Sequence, residues 1–295
     1  MKNLYRLSFF TAFMGAVLIV AGGLVTSHQA GLSVPDWPLS YGKWMPPMVG
    51  KIFWEHGHRM IAAFVGFLTL VMVIATHLTR GASSGLKSFS RALIGLVILQ
   101  GVFGGLTVLF NLPHLVSIGH ASLGQIYFSA LWLFSYAARL EAEPLVFRVS
   151  AENQPKLAKA FRIARVTCFI FIAQLLLGAA TRHIKHVHIA YTHAAFAFVV
   201  VTHVVLVFLR VTQLDKEDQA PQQIVLFLLI AVMLQVLLGV CSLGLTQFMN
   251  QVAGDPSQAQ IWTTTFHQSL GAFLLAAIML LTFMLQKRVQ FAANA

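Results

Sequence analysis

Charge is what this 295-residue chain has least of: Asp, Glu, Lys and Arg make up 10% of it, and only nine residues are acidic. A soluble domain carries about a quarter of its residues charged, so the composition excludes one. Cysteine is also scarce. Cys168 and Cys241 both sit inside apolar runs, which excludes a disulfide framework and a cysteine-built metal site and leaves two small apolar fillers. The formal net charge of +11 would suit nucleic acid on a soluble protein. On a chain this apolar it implies no nucleic-acid partner, and its distribution along the loops is the informative quantity.

What the chain has instead is apolar sequence, 58% of it, with a mean hydropathy of +0.77. Runs long enough to span a bilayer, roughly 20 residues each, lie at about 7–27, 56–79, 92–110, 115–138, 163–181, 187–210, 223–245 and 262–286. They predict an all-α polytopic membrane protein with eight transmembrane helices, in contact with membrane lipid. The first run lacks a small-residue cleavage site and reads as a retained span. Fifteen of the twenty Lys and Arg fall in loops on one side; Lys43, Lys51, Arg59, Arg182 and Lys185 fall on the other. The positive-inside rule then sets both termini in the cytoplasm, and the expected location is the cell's inner (plasma) membrane.

The two halves echo each other. Gly22-Gly23-Leu24-Val25-Thr26-Ser27-His28 closes the first run as Leu177-Gly178-Ala179-Ala180-Thr181-Arg182-His183 closes the fifth, and His120-Ala121-Ser122-Leu123-Gly124 matches His267-Gln268-Ser269-Leu270-Gly271. Such spacing predicts two pseudo-symmetric four-helix bundles, 1–140 and 163–295, joined by a cytoplasmic linker at 141–162. Glycines at these places permit close helix packing, or make room for a flat cofactor.

Four of the twelve histidines, His58, His120, His193 and His267, stand about a turn inside the outer ends of the even-numbered runs. All those runs point inward, so equal offsets mean equal depth. Under the duplication His58 pairs with His120 and His193 with His267. Two neutral imidazoles on facing helices suit bis-histidine ligation of haem iron. A single histidine at membrane depth is more often a hydrogen-bonded packing residue, and a zinc site would want acidic ligands that are scarce here. His28, His114, His183, His186 and His188 read as interfacial decoration, and His77 and His203 as boundary residues.

Glu55 is the only acidic residue against any of the long apolar runs, and an ionisable group at that depth is expensive. It precedes His58 by three residues, which on a helix separates the two Cβ atoms by roughly 5–6 Å. A carboxylate there reaches a porphyrin edge rather than its metal, where it could stabilise positive charge or take a proton. The plain alternative is a charge favourably set against the helix dipole. Arg59, Arg182 and Lys185 are candidate partners for haem propionates, and interfacial anchoring would account for them too.

These residues resemble the haem A synthase family. The first outer loop, Gly31-Leu32 followed by Pro35-Asp36-Trp37-Pro38, is similar to the family's signature; Glu55-x-x-His58-Arg59 matches its glutamate-histidine-arginine motif; and His120, His193 and His267 recur on helices 4, 6 and 8. The resemblance implies an oxidoreductase converting haem O to haem A, by oxidising the C8 methyl to a formyl group through a hydroxymethyl intermediate. It implies that His58 and His120 hold the substrate haem and that His193 and His267 hold a haem b relaying electrons. Glu55 would stand at the methyl under oxidation. It further implies a haem O synthase upstream and a haem-copper oxidase downstream, and admits a homo-oligomer. Many members carry a cysteine pair in the first outer loop, where this chain has Val34 and Ser40, so the resemblance is to the cysteine-free variety.

The competing reading is a membrane dihaem cytochrome b that passes electrons from quinol to a partner. It explains the histidines equally well but has no need of Glu55 or of Pro35-Asp36-Trp37-Pro38. A histidine-lined metal transporter would need polar residues through the midplane, where the runs are almost wholly apolar.

Overall fold

The computed structural model describes residues 1–144, 152–214, 219–248 and 255–294. Eight α-helices follow one another: α1 Lys2–Ser27, α2 Gly50–Leu78, α3 Ser84–Leu109, α4 His114–Ala142, α5 Gln154–Ile184, α6 Val187–Val211, α7 Gln219–Leu243 and α8 Gln258–Asn294, with a short π-helix, Gly244–Phe248, continuing α7. The described residues contain no strand. The apolar runs form helices because each must satisfy its own backbone in a medium without water.

Seven of the eight are long and apolar enough to cross a membrane; α4 is not among them. With 29 residues α4 is about 43 Å long, so apolarity rather than length sets it apart. It packs against α1, α3, α5 and α8 and buries Ser117, Ser122, Gln125, Ser129 and Ser135. A helix surrounded by helices meets little lipid, so it tolerates small polar side chains that an outer helix does not. The expectation of eight apolar spans therefore holds for eight helices but not for eight equally lipophilic ones.

The predicted linker 141–162 is mostly helix where it is described. α4 runs to Ala142 and α5 begins at Gln154, with Pro155 in its first turn, where a missing N–H costs nothing. Leu157 and Ala160 are already buried. Residues 145–151 of the linker, including Arg148, lie outside the described residues, as does Lys216.

Neighbouring helices in the chain are neighbours in space. α1 packs on α2 and α4, α2 on α3, and α3 on α4; α5 packs on α6 and α8, α6 on α7, and α7 on α8. One apolar core joins Leu4, Val65, Met72, Leu93, Leu131 and Phe134 of α1–α4. Another joins Phe171, Val204, Leu228, Leu274 and Leu281 of α5–α8. Between them Phe128 of α4 meets Ala272 and Ala276 of α8, and α4 and α8 form the central contact.

Short connections set the histidine depth. Asn111 and Leu112, both in the left-handed region, turn α3 into α4, and Lys185 turns α5 into α6. His120 and His193 are consequently each the seventh residue of their helix, with His58 the ninth of α2 and His267 the tenth of α8.

Candidate functional site

Each of the four histidines lies against a glycine of the preceding helix. A methyl group on Gly22 would stand 3.1 Å from Cε1 of His58, and one on Gly104 3.1 Å from Cε1 of His120. On Gly178 and Gly239 it would stand 2.9 Å from Cε1 of His193 and His267. Any larger residue would push the ring or the helix away, so glycine lets each imidazole lie flush on its neighbour. The pairs are α1–α2, α3–α4, α5–α6 and α7–α8.

The rings are half-buried, and in three of them Nδ1 is enclosed. Nδ1 of His58, His120 and His193 has no hydrogen-bond partner among the described residues, whereas Nδ1 of His267 lies 3.1 Å from the Gln235 carbonyl. A carbonyl only accepts, so Nδ1 carries the proton and the lone pair of the neutral ring is on Nε2. A protein acceptor behind one nitrogen, with the other free, is the arrangement of a metal-ligating histidine.

One of the two predicted pairs is in ring contact. The ring centroids of His193 and His267 are 6.1 Å apart with planes at 88°. Two imidazoles ligating one metal from opposite sides, with metal–nitrogen bonds of about 2 Å, set their centroids roughly 6 Å apart. His58 is within electrostatic reach of His120. No group of three or more His, Cys, Asp or Glu among the described residues gathers as a multidentate metal site. The donors come as pairs, which fits haem, where the macrocycle supplies the remaining ligands.

Glu55 faces the first outer loop. Its carboxylate is buried at 4% exposure, with Oε1 2.6 Å from Nη2 of Arg59 and Oε2 accepting the backbone N–H of Val34 at 2.8 Å. Arg59 in turn donates to the carbonyls of Asp36 (2.7 Å), Leu39 (2.9 Å) and Val34 (3.3 Å). The guanidinium is thus committed to the loop. His56 belongs to the same network through Ser40, whose Oγ is 2.8 Å from Nδ1. Val34 and Ser40 are both fully buried, and hydrogen bonds to α2 tie both down.

The loop also reaches α3. The Trp37 indole lies on Gly105, where a methyl group would come within 2.9 Å of Cδ2; this is the residue after the glycine that receives His120. Asp36 closes the loop tip by accepting the N–H groups of Gly42 (2.8 Å) and Tyr41 (2.6 Å). These bonds, that of Gly42 foremost, hold its carboxyl below the usual aspartate range.

Arg182 lies where α5 meets α1 and α8. Its Nη2 donates to Ser27 Oγ (2.6 Å) and to the Gly23 carbonyl (3.3 Å), and its Nη1 to the Thr264 carbonyl (3.3 Å). Among the described residues no carboxylate pairs with it, and it is within electrostatic reach of His267. Lys185 is the exposed left-handed residue that ends α5. Three further histidines make local contacts: His28 stacks on Trp54 at 4.0 Å, and His77 and His203 each bond a carbonyl one turn back.

Sequence reading missed the glutamines beside these sites. Gln100, Gln174 and Gln235 each donate to the backbone carbonyl of His120, His193 and His267, at 3.0 Å in all three. The signal was present as Gln-x-x-x-Gly on three helices. Setting α3 against α7 shows Gln100 and Gln235 in register, but as repetition only, without the carbonyl each one reaches.

Paired imidazoles at matched depth among long apolar helices define a polytopic helical membrane protein built around histidine pairs. Residues 48–190 match the model of the COX15-CtaA family, described as cytochrome oxidase assembly protein. It is similar to the heme A synthase of Symbiobacterium thermophilum, 27% identical over 187 residues, 62% of this chain and 60% of that one. The heme A synthase of Shouchella clausii is 24% identical over the same length and the same shares. That of Brucella anthropi is 27% identical over 207 residues, 60% of this chain and 57% of that one. The chain thus spans about three fifths of the length of these curated relatives.

Proposed function

We propose that this protein is a haem A synthase, oxidising the C8 methyl of haem O to the formyl group of haem A through the alcohol. The observation that carries the reading is the fourfold glycine–histidine contact: four imidazoles at one depth, each seated flush on a neighbouring helix, in a chain whose residues 48–190 match the family model. The packing of α1–α4 among themselves, repeated by α5–α8 and meeting at α4 and α8, supports two pseudo-symmetric bundles with one haem in each. His58 and His120 hold the substrate haem, and His193 and His267 hold a haem b that relays electrons.

When bound, the haem iron supplies the oxidative and electron-transfer chemistry; the protein supplies position and field. The histidines are the residues that would hold the porphyrin between facing helices. Glu55, one turn before His58, is the carboxylate beside the methyl under oxidation, and Arg59 and Val34 hold it in one orientation, so that it stabilises positive charge without reorganising. Arg182, a cation without a carboxylate partner among the described residues, is suited to a propionate; Lys185 at the rim serves as a second. Arg59 is engaged with the loop and is the weaker candidate. The inner leaflet faces the fifteen-residue basic side, both termini are cytoplasmic, and the product serves haem-copper oxidases.

The test is extraction of haems from the purified protein after co-expression with a haem O source. Haem A or its alcohol precursor beside haem b supports the synthase, whereas haem b alone would make it a dihaem cytochrome. An E55A variant that forms haem A at the unmodified rate removes Glu55 from the chemistry.

A further inference from the structure

Three of the four histidine-bearing helices are clamped at the level of the ligand, and the fourth is not. Gln100, Gln174 and Gln235 donate to the backbone carbonyls of His120, His193 and His267. Each stands four residues before the glycine that seats the same imidazole: Gly104, Gly178 and Gly239. On α1 the seat for His58 is Gly22, and four residues before it stands Leu18, which has no donor.

The clamp is costly where it occurs. Oε1 of all three glutamines is enclosed without a hydrogen-bond partner, so each amide bears a desolvation penalty for the sake of its N–H. In return it adds a second donor to a histidine carbonyl and ties two helices where the ring projects. Gln235 does so twice, since its own carbonyl faces Nδ1 of His267.

Space does not explain the exception. Gly124 and Gly271, one turn after His120 and His267, make room for the amides of Gln100 and Gln235, at 3.0 and 3.2 Å from a would-be methyl. One turn after His193 stands Ala197, yet Gln174 still reaches its carbonyl. The residue one turn after His58 is Ala62, so α1–α2 matches α5–α6 in the residue types that frame the clamp and differs only in Leu18. The outer end of α2 is held instead by the loop, through Glu55, His56 and Arg59.

We propose that His58 is the exchangeable ligand: α2 moves against α1 to release and admit the substrate porphyrin while His120, His193 and His267 stay fixed. A substrate must leave at each turnover and a resident cofactor must not; both histidines of the cofactor pair are clamped, whereas of the substrate pair only His120 is. This rests on the reading that the four histidines ligate haem. Leu18 is a positioning residue, acting through the helix that carries His58.

The experiment loads the full-length protein in detergent with haem b at both sites, adds excess apomyoglobin, and follows haem transfer by the Soret band. Release occurs in two phases, and H58A and H193A assign them. L18Q slows the faster phase ~5-fold, the effect of one neutral hydrogen bond, and leaves the slower one unchanged. Slowing is a gain that damaged packing would not produce. If L18Q does not fold, Q174L carries the test by hastening the slower phase by the same factor. Two haems leaving at one rate, insensitive to L18Q or to Q174L, would overturn this inference while the functional reading stands. A protein that takes up no haem, or whose haem content is indifferent to H58A and H193A, overturns that reading itself.

Discussion

Glu55 and Arg59 stand one helical turn apart with 2.6 Å between Oε1 and Nη2, and their side chains are 5% and 15% exposed. The pair is part of the fastening of the first outer loop, because each member also bonds loop backbone. Removing the arginine alone strands a buried carboxylate. R59A should therefore lower stability by about 3–5 kcal/mol, and E55A/R59A should recover part of that loss. Chemical unfolding in detergent with a double-mutant cycle measures it; strictly additive single losses would show that the two side chains are not coupled.

The glycine seats should be intolerant and local in effect. G178A places a methyl group 2.9 Å from Cε1 of His193, so the ring or α6 must shift, at a cost of about 1–3 kcal/mol for overpacking. The variant should lose haem from the C-terminal pair while the His58–His120 pair keeps its own, halving the haem per protein in a pyridine haemochrome assay. G104A should do the reverse.

Arg182 bridges α5 to α1 and α8 through Ser27, Gly23 and Thr264. R182Q keeps donors for these oxygens but removes the charge. It should leave the fold largely intact and shift the midpoint potential of the C-terminal haem downward, because a cation near the iron favours the reduced form. Redox titration of the purified protein reads this; an unchanged potential would separate Arg182 from the haem.

Acid should loosen the tip of the first loop. The folded carboxyl of Asp36 titrates below its ordinary range, so its contribution is complete above the unfolded value of about 3.9. It is lost as the pH falls through the lower folded value. Amide exchange at Tyr41 and Gly42 should accelerate in that acid window in the unmodified protein, and D36N should show the faster exchange already at neutral pH, without the acid step.

Much of this was legible in sequence because membrane helices announce themselves. Each apolar run became a helix, and the depth of His58, His120, His193 and His267 followed from counting along α2, α4, α6 and α8. The exception, α4, shows the limit: its serines lower its hydropathy, and only its position among α1, α3, α5 and α8 explains why they are tolerated. Sequence could likewise put Glu55 and His58 on one stretch of helix, but not say what the carboxylate bonds. Val34 is 21 positions away from Glu55 in the chain and carries no polar side chain, so nothing in its identity marks its N–H as a partner.

The sequence by itself therefore determined the class, the number and order of helices and the level of the four histidines, since these depend on local apolarity and on a fixed rise per residue. Only the tertiary structure decided which glycine seats which imidazole, that Glu55 and Arg59 fasten a loop, and that a glutamine clamps three of the histidine-bearing helices but not α2. Those relationships join side chains to backbone atoms of other segments, and every residue has the same backbone, so its letter does not reveal the contact.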